Sequence, residues 1–130
     1  MYYVEAIPER SLIKIAVKDN VTLDQLFKIA DEILHIKETK IQGPHKAWIF
    51  IANEITLPNT KELQAIELTV TRAKLFGIDK TVIQLGPTNT VMMQIVAKLL
   101  ADIYTRKEIP VKVVQTNQQA EEFLEDRWKS

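Results

Sequence analysis

The chain has 130 residues, 46% of them hydrophobic and 26% charged, which is the size and make-up of one folded domain with a single core. Seventeen basic residues balance seventeen acidic ones, so no phosphate-gripping surface for nucleic acid is expected, since that calls for a basic surplus. Cysteine is absent, which excludes disulfides, thiolate nucleophiles and sulfur-ligated zinc.

Met1 to Glu5 has no basic segment, and no run approaches the ~20 apolar residues of a membrane span. Neither a signal peptide nor a membrane helix is expected, and the chain reads as cytoplasmic. Tyr2-Tyr3-Val4-Glu5-Ala6-Ile7 and Leu12-Ile13-Lys14-Ile15-Ala16-Val17 read as an antiparallel hairpin around a turn at Pro8–Ser11. Thr22-Leu23-Asp24-Gln25 has the form of a capping box. It opens a helix to about Lys40, with Leu23, Leu26, Phe27, Ala30, Ile33 and Leu34 at helical spacing. Trp48-Ile49-Phe50-Ile51-Ala52 is apolar on both alternating faces, as a central strand should be, with Ile49 and Ile51 in the core.

Asn59-Thr60-Lys61-Glu62 starts a second helix, with Leu63, Ile66, Val70, Ala73 and Leu75 on its apolar side and Gly77 at its end. Thr81–Leu85 is the next strand. Gly86-Pro87-Thr88-Asn89 then leads into a third helix lined by Val91, Met92, Ile95, Val96, Leu99, Leu100 and Ile103. Val111–Val114 is a short fifth strand, and Thr116–Gln119 caps a fourth helix with Ala120, Phe123, Leu124 and Trp128 on its apolar side. No linker or repeat interrupts the pattern, so residues 1–130 read as one α/β domain of order ββαβαβαβα. Its five-stranded sheet is mostly parallel, and the first strand is antiparallel.

The chemical inventory is poor in catalytic groups. Serine occurs only at 11 and 130, and Ser11 lacks the sharp strand-to-helix turn that exposes a nucleophile. His35 reads as a helix-surface residue and His45, after Gly43-Pro44, as a solvated loop residue; two separated histidines propose no metal site. The acids Glu121, Glu122, Glu125 and Asp126 read as a solvated helix face. Glu54 follows a core strand, and an enzyme built on it and the strand-end threonines is the third reading. Three scattered glycines exclude a dinucleotide or P-loop cradle, and no cofactor is expected. Ligands of open parallel sheets bind beyond the C-terminal strand ends. Here those ends carry the polar stretches 53–60, 88–90 and 116–118.

Lys80-Thr81-Val82-Ile83-Gln84-Leu85-Gly86 is followed by a long helix ending in Tyr104-Thr105-Arg106. Ile109-Pro110-Val111-Lys112-Val113-Val114 and Gln119-Ala120-Glu121-Glu122-Phe123-Leu124 come next. With the order of elements, these segments resemble the STAS-like group related to the stage II sporulation protein AA, the anti-sigma-factor antagonist. The resemblance implies a bacterial, non-catalytic regulatory module that docks a protein partner. In that family an Asp-Ser-Ser-Gly motif opens the second helix and is switched by serine phosphorylation. Here Asn59-Thr60-Lys61-Glu62 stands there, with threonine at the first serine position, lysine at the second and glutamate for the glycine.

The resemblance places an interaction rim at Asn59, Thr60, Lys61, Thr88 and Asn89, and a phosphate on Thr60 would sit at a helix N-terminus beside Lys61. The rival reading is a carrier of a small apolar ligand between sheet and helices. A homodimer is compatible with either.

Overall fold

A computed structural model describes residues 1–53, 55–88 and 90–125. Strand β1 (Tyr2–Ile7) passes through a short 3-10 helix, Pro8–Arg10, into β2 (Leu12–Val17). The expected turn is thus a helical one, closed by Ser11 in the left-handed region at φ 50°. The chain continues through α1 (Leu23–Thr39), β3 (His45–Ile51), α2 (Thr60–Leu75), β4 (Ile78–Leu85), α3 (Val91–Arg106), β5 (Val111–Val114) and α4 (Asn117–Glu125). Helices α1 and α2 begin in complete capping boxes, Thr22 with Gln25 and Asn59 with Glu62. Thr116 and Gln119 exchange the same pair of bonds ahead of α4. No helix among the described residues is long and apolar enough to cross a membrane.

The sheet runs in the order β1-β2-β3-β4-β5, antiparallel between β1 and β2 and parallel thereafter. When consecutive parallel strands are laid side by side, right-handed crossovers put every connecting helix on the same face. The core divides accordingly. Ile13, Ile15, Ala47, Ile49, Ile51 and Ile83 join Ile29 of α1, Val70 of α2 and Met93 and Ala97 of α3. On the opposite face Leu12, Trp48, Val82 and Val114 pack with Ala120 and Leu124 of α4. Ile49 and Ile51 are buried in a central strand, as the sequence predicts.

The inner stripes of the helices match those expected in part, with Val70, Val96 and Ile103 buried as predicted. Phe27, Leu34, Leu75, Val91, Met92 and Ile95 face outward, while Ile29, Ile36, Met93, Ala97 and Tyr104 are buried. Each helix carries more apolar residues than one face needs, so several stripes fit the sequence, and packing on the sheet selects one. Of the two aromatics expected in the core, Trp48 is buried and Phe50 only half-buried. The acids of α4 also differ from expectation. Glu121 and Glu125 clamp Arg10 at 2.6 and 3.0 Å, tying the 3-10 turn to the helix. Asp126 and Trp128 lie outside the described residues.

Candidate functional site

On the three-helix face, α1 rests chiefly on β1 and α2, while α3 rests on β4 and β5. Helix α2 touches β4 and its neighbouring helices, so the closest helix–strand approaches on this face fall at β1, β4 and β5 rather than at β2 and β3. The space left above these strands is a cavity of about 390 Å³. Its floor is Ile13, Ile15, Ala47, Ile49 and Ile51, and its walls are Leu26, Ile29 and Ile33 of α1, Leu63, Ile66 and Val70 of α2, and Leu99 and Leu100 of α3.

The two ends of the cavity differ. At the C-terminal edge of the strands, exposed Asn20, Thr22 and Thr56 border it together with Pro58 and Glu62. The polar side chains there are engaged. Asn20 Oδ1 accepts from the Thr56 backbone N–H at 2.9 Å and from its hydroxyl at 3.1 Å, Thr22 caps α1, and Glu62 accepts from the Asn59 N–H at 2.8 Å.

At the opposite end the boundary is His45, Ile78, Ile103 and Tyr104. His45 was expected in solvent. It instead begins β3, with its N–H donated to the Gly77 carbonyl at 3.2 Å and its side chain only 2% exposed. The alternation His45, Ala47, Ile49, Ile51 sets the ring on the cavity face. Its Nδ1 has no hydrogen-bond partner. Burial, and then the nearby Lys37 ammonium, push its pKa down to about 4, so the imidazole is neutral at pH 7. Lys37 is itself buried, donates to the Gly43 carbonyl, and has its pKa lowered by burial and partly restored by Asp79. Thr81, on the same face of β4 opposite Ala47, is fully buried, and its hydroxyl makes no hydrogen bond of ordinary geometry. It lies near enough to Tyr104 to draw that phenol's pKa slightly back, although burial pushes it up to about 12.

Of the expected rim, Asn59, Thr60 and Lys61 lie between Pro58 and Glu62, which border the solvent-facing end of this cavity. The Asn59 side chain is consumed in capping, accepting from the Glu62 N–H at 2.9 Å. Thr60 and Lys61 are exposed on the first turn of α2, and Thr88 is exposed between β4 and α3. Asn89 and Glu54 lie outside the described residues. The loops after β3 and β4 meet at their roots, where the Gly86 N–H donates to the Ile51 carbonyl at 2.8 Å. A side chain at Gly86 would collide with the Ala52 carbonyl oxygen.

A second, shallower concavity lies on the other face, beside α4. There the Trp48 indole N–H donates to Gln84, which donates in turn to Asn117, and the Lys14 ammonium stands 4.4 Å from the centre of the Trp48 ring. Among the described residues no three His, Asp or Glu side chains gather as a metal site requires. Fold and cavity together define an α/β domain with an apolar internal site. Compared with models of known families and with curated proteins, the chain matches none.

Proposed function

We propose that this domain is a non-catalytic binding protein that holds a small apolar ligand between its sheet and helices α1–α3. The observation that carries this reading is the cavity of about 390 Å³ among aliphatic side chains. Ligand sites run from roughly 300 to 1,000 Å³ and are mostly apolar with a few placed polar groups. Ile33, Leu63, Ile66 and Leu100 pack toward the core yet stay partly accessible. Interiors are otherwise close-packed, and unfilled apolar volume costs stability that a bound ligand restores.

Native mass spectrometry of the gently purified protein tests this. A carrier retains an adduct of a few hundred daltons that organic extraction removes and that Ala47→Phe, which narrows the floor, abolishes while the fold persists. Absence of an adduct, together with no saturable binding of an apolar fluorophore, refutes the reading.

A second reading keeps the STAS-like resemblance and places a protein partner on the rim. What supports it is the exposure of Thr60, Lys61 and Thr88 in the segments that follow β3 and β4. Pull-down with Thr60→Glu tests that edge. Loss of the recovered partner at unchanged melting favours docking there, and full retention rejects it.

A further inference from the structure

We propose that the ligand of this cavity is an uncharged amphiphile, an apolar body with a single hydroxyl head, seated head-inward against His45. The inference rests on the carrier reading and adds the chemical class and orientation of the ligand.

The polar groups around the cavity are distributed unevenly. At the solvent-facing end Asn20, Thr22, Thr56 and Glu62 spend their hydrogen-bonding capacity on one another and on helix caps. At the inner end His45 Nδ1 is buried without a partner. Buried polar groups in folded proteins are almost always hydrogen-bonded, so an orphaned imidazole nitrogen facing a cavity calls for an explanation. A group delivered by the ligand supplies one. The imidazole is neutral, as its depressed pKa implies, so one ring nitrogen accepts and the other donates. A hydroxyl, which both donates and accepts, meets that need.

A carboxylate head fits less well. Among the described residues the one buried cation nearby, Lys37, is already held by the Gly43 carbonyl and by the field of Asp79, and a buried anion without its own cation is strongly disfavoured. A purely apolar ligand would leave His45 unpaired. The size of the body follows from volume. An apolar cavity of ~150 Å³ holds one benzene, so about 390 Å³ has room for on the order of 15 carbon-sized atoms.

Calorimetric titration of the purified protein with 1-decanol, decane and decanoate tests the class. The alcohol is expected to bind roughly tenfold or more tightly than either of the others, the amount that pairing one orphaned buried group yields. His45→Phe should abolish that preference while decane still binds. In the unmodified protein the imidazole nitrogen shifts of His45, followed by NMR with only His35 to distinguish, should move on adding decanol and stay still with decane. This arm does not depend on a variant folding.

Equal binding of alcohol and alkane, tightest binding of decanoate, or His45 shifts indifferent to decanol overturns the head-inward hydroxyl while leaving the carrier reading standing. Failure of all three probes to bind overturns both.

Discussion

Burial of a neutral histidine makes this fold acid-sensitive in a window set by one residue. His45 is 2% exposed at the start of β3, and its pKa lies at about 4 rather than 6.5. As pH falls through 6.5 the unfolded chain takes up a proton at this position, and the folded protein does not follow until about pH 4. The stability tied to the neutral ring is therefore complete above pH 6.5, lost progressively between 6.5 and 4, and gone below. At ~1.4 kcal/mol per pH unit, the difference amounts to roughly 3 kcal/mol.

Urea unfolding of the native protein and of His45→Gln between pH 7.5 and 4 measures it. Carboxylates titrate in both proteins and cancel in the difference, which should shrink by about 3 kcal/mol as pH falls. A difference that stays flat, or an imidazole that titrates by NMR near its ordinary 6.5, would mean that the ring is solvated and that the inner end of the cavity is wrongly drawn.

Three further outcomes are expected. Ile51→Ala should cost about 2–5 kcal/mol in urea unfolding, because the side chain is 2% exposed in a central strand; a loss under about 0.5 kcal/mol would contradict the strand order. Gly86→Ala should cost at least about 1–3 kcal/mol, read as a lowered denaturation midpoint, since the new Cβ meets the Ala52 carbonyl rather than a yielding side chain. Thr60→Glu should be neutral or stabilise by about 0.3–1 kcal/mol, as an acid on the exposed first turn of α2 favours the positive helix end; a clear drop in melting temperature would mean that Thr60 is packed against something.

The backbone plan was legible in the sequence because its signals are local. Strand-length apolar blocks such as Trp48–Ile51, capping boxes at Thr22, Asn59 and Thr116, and Gly77 at φ 85° each specify their element without reference to distant residues. Helix rotation was legible only in part, as at Val70, Val96 and Ile103. In α1, Leu23, Leu26, Phe27, Ile29, Ala30, Ile33, Leu34 and Ile36 are all apolar, and periodicity alone cannot choose among the stripes they allow. His45 was misplaced because a polar residue after Gly43-Pro44 resembles a loop. The signal that would have found it is the period-two series His45, Ala47, Ile49, Ile51, which continues the cavity face of β3 by one residue. Of the rim residues, Asn59 is occupied in capping α2, a duty the structure reveals.

The cavity itself follows from topology more than from any motif. Three crossover helices share one face of a five-stranded sheet, and the flanking pair find their support at its margins, α1 on β1 and α3 on β4 and β5. Helix α2 closes the gap by touching its neighbours and β4 rather than the strands beneath it. Ile33, Leu63 and Ile66 pack against the core yet also border the remaining space, whose floor includes Ile15 and Ile49. A more compact arrangement would bury that surface and gain roughly 25 cal/mol per Å². Yet it would leave His45 Nδ1 as deeply buried and still without a partner. Under the carrier reading, a molecule that is apolar along its length and hydrogen-bonds at its inner end would both fill the void and pair His45 Nδ1.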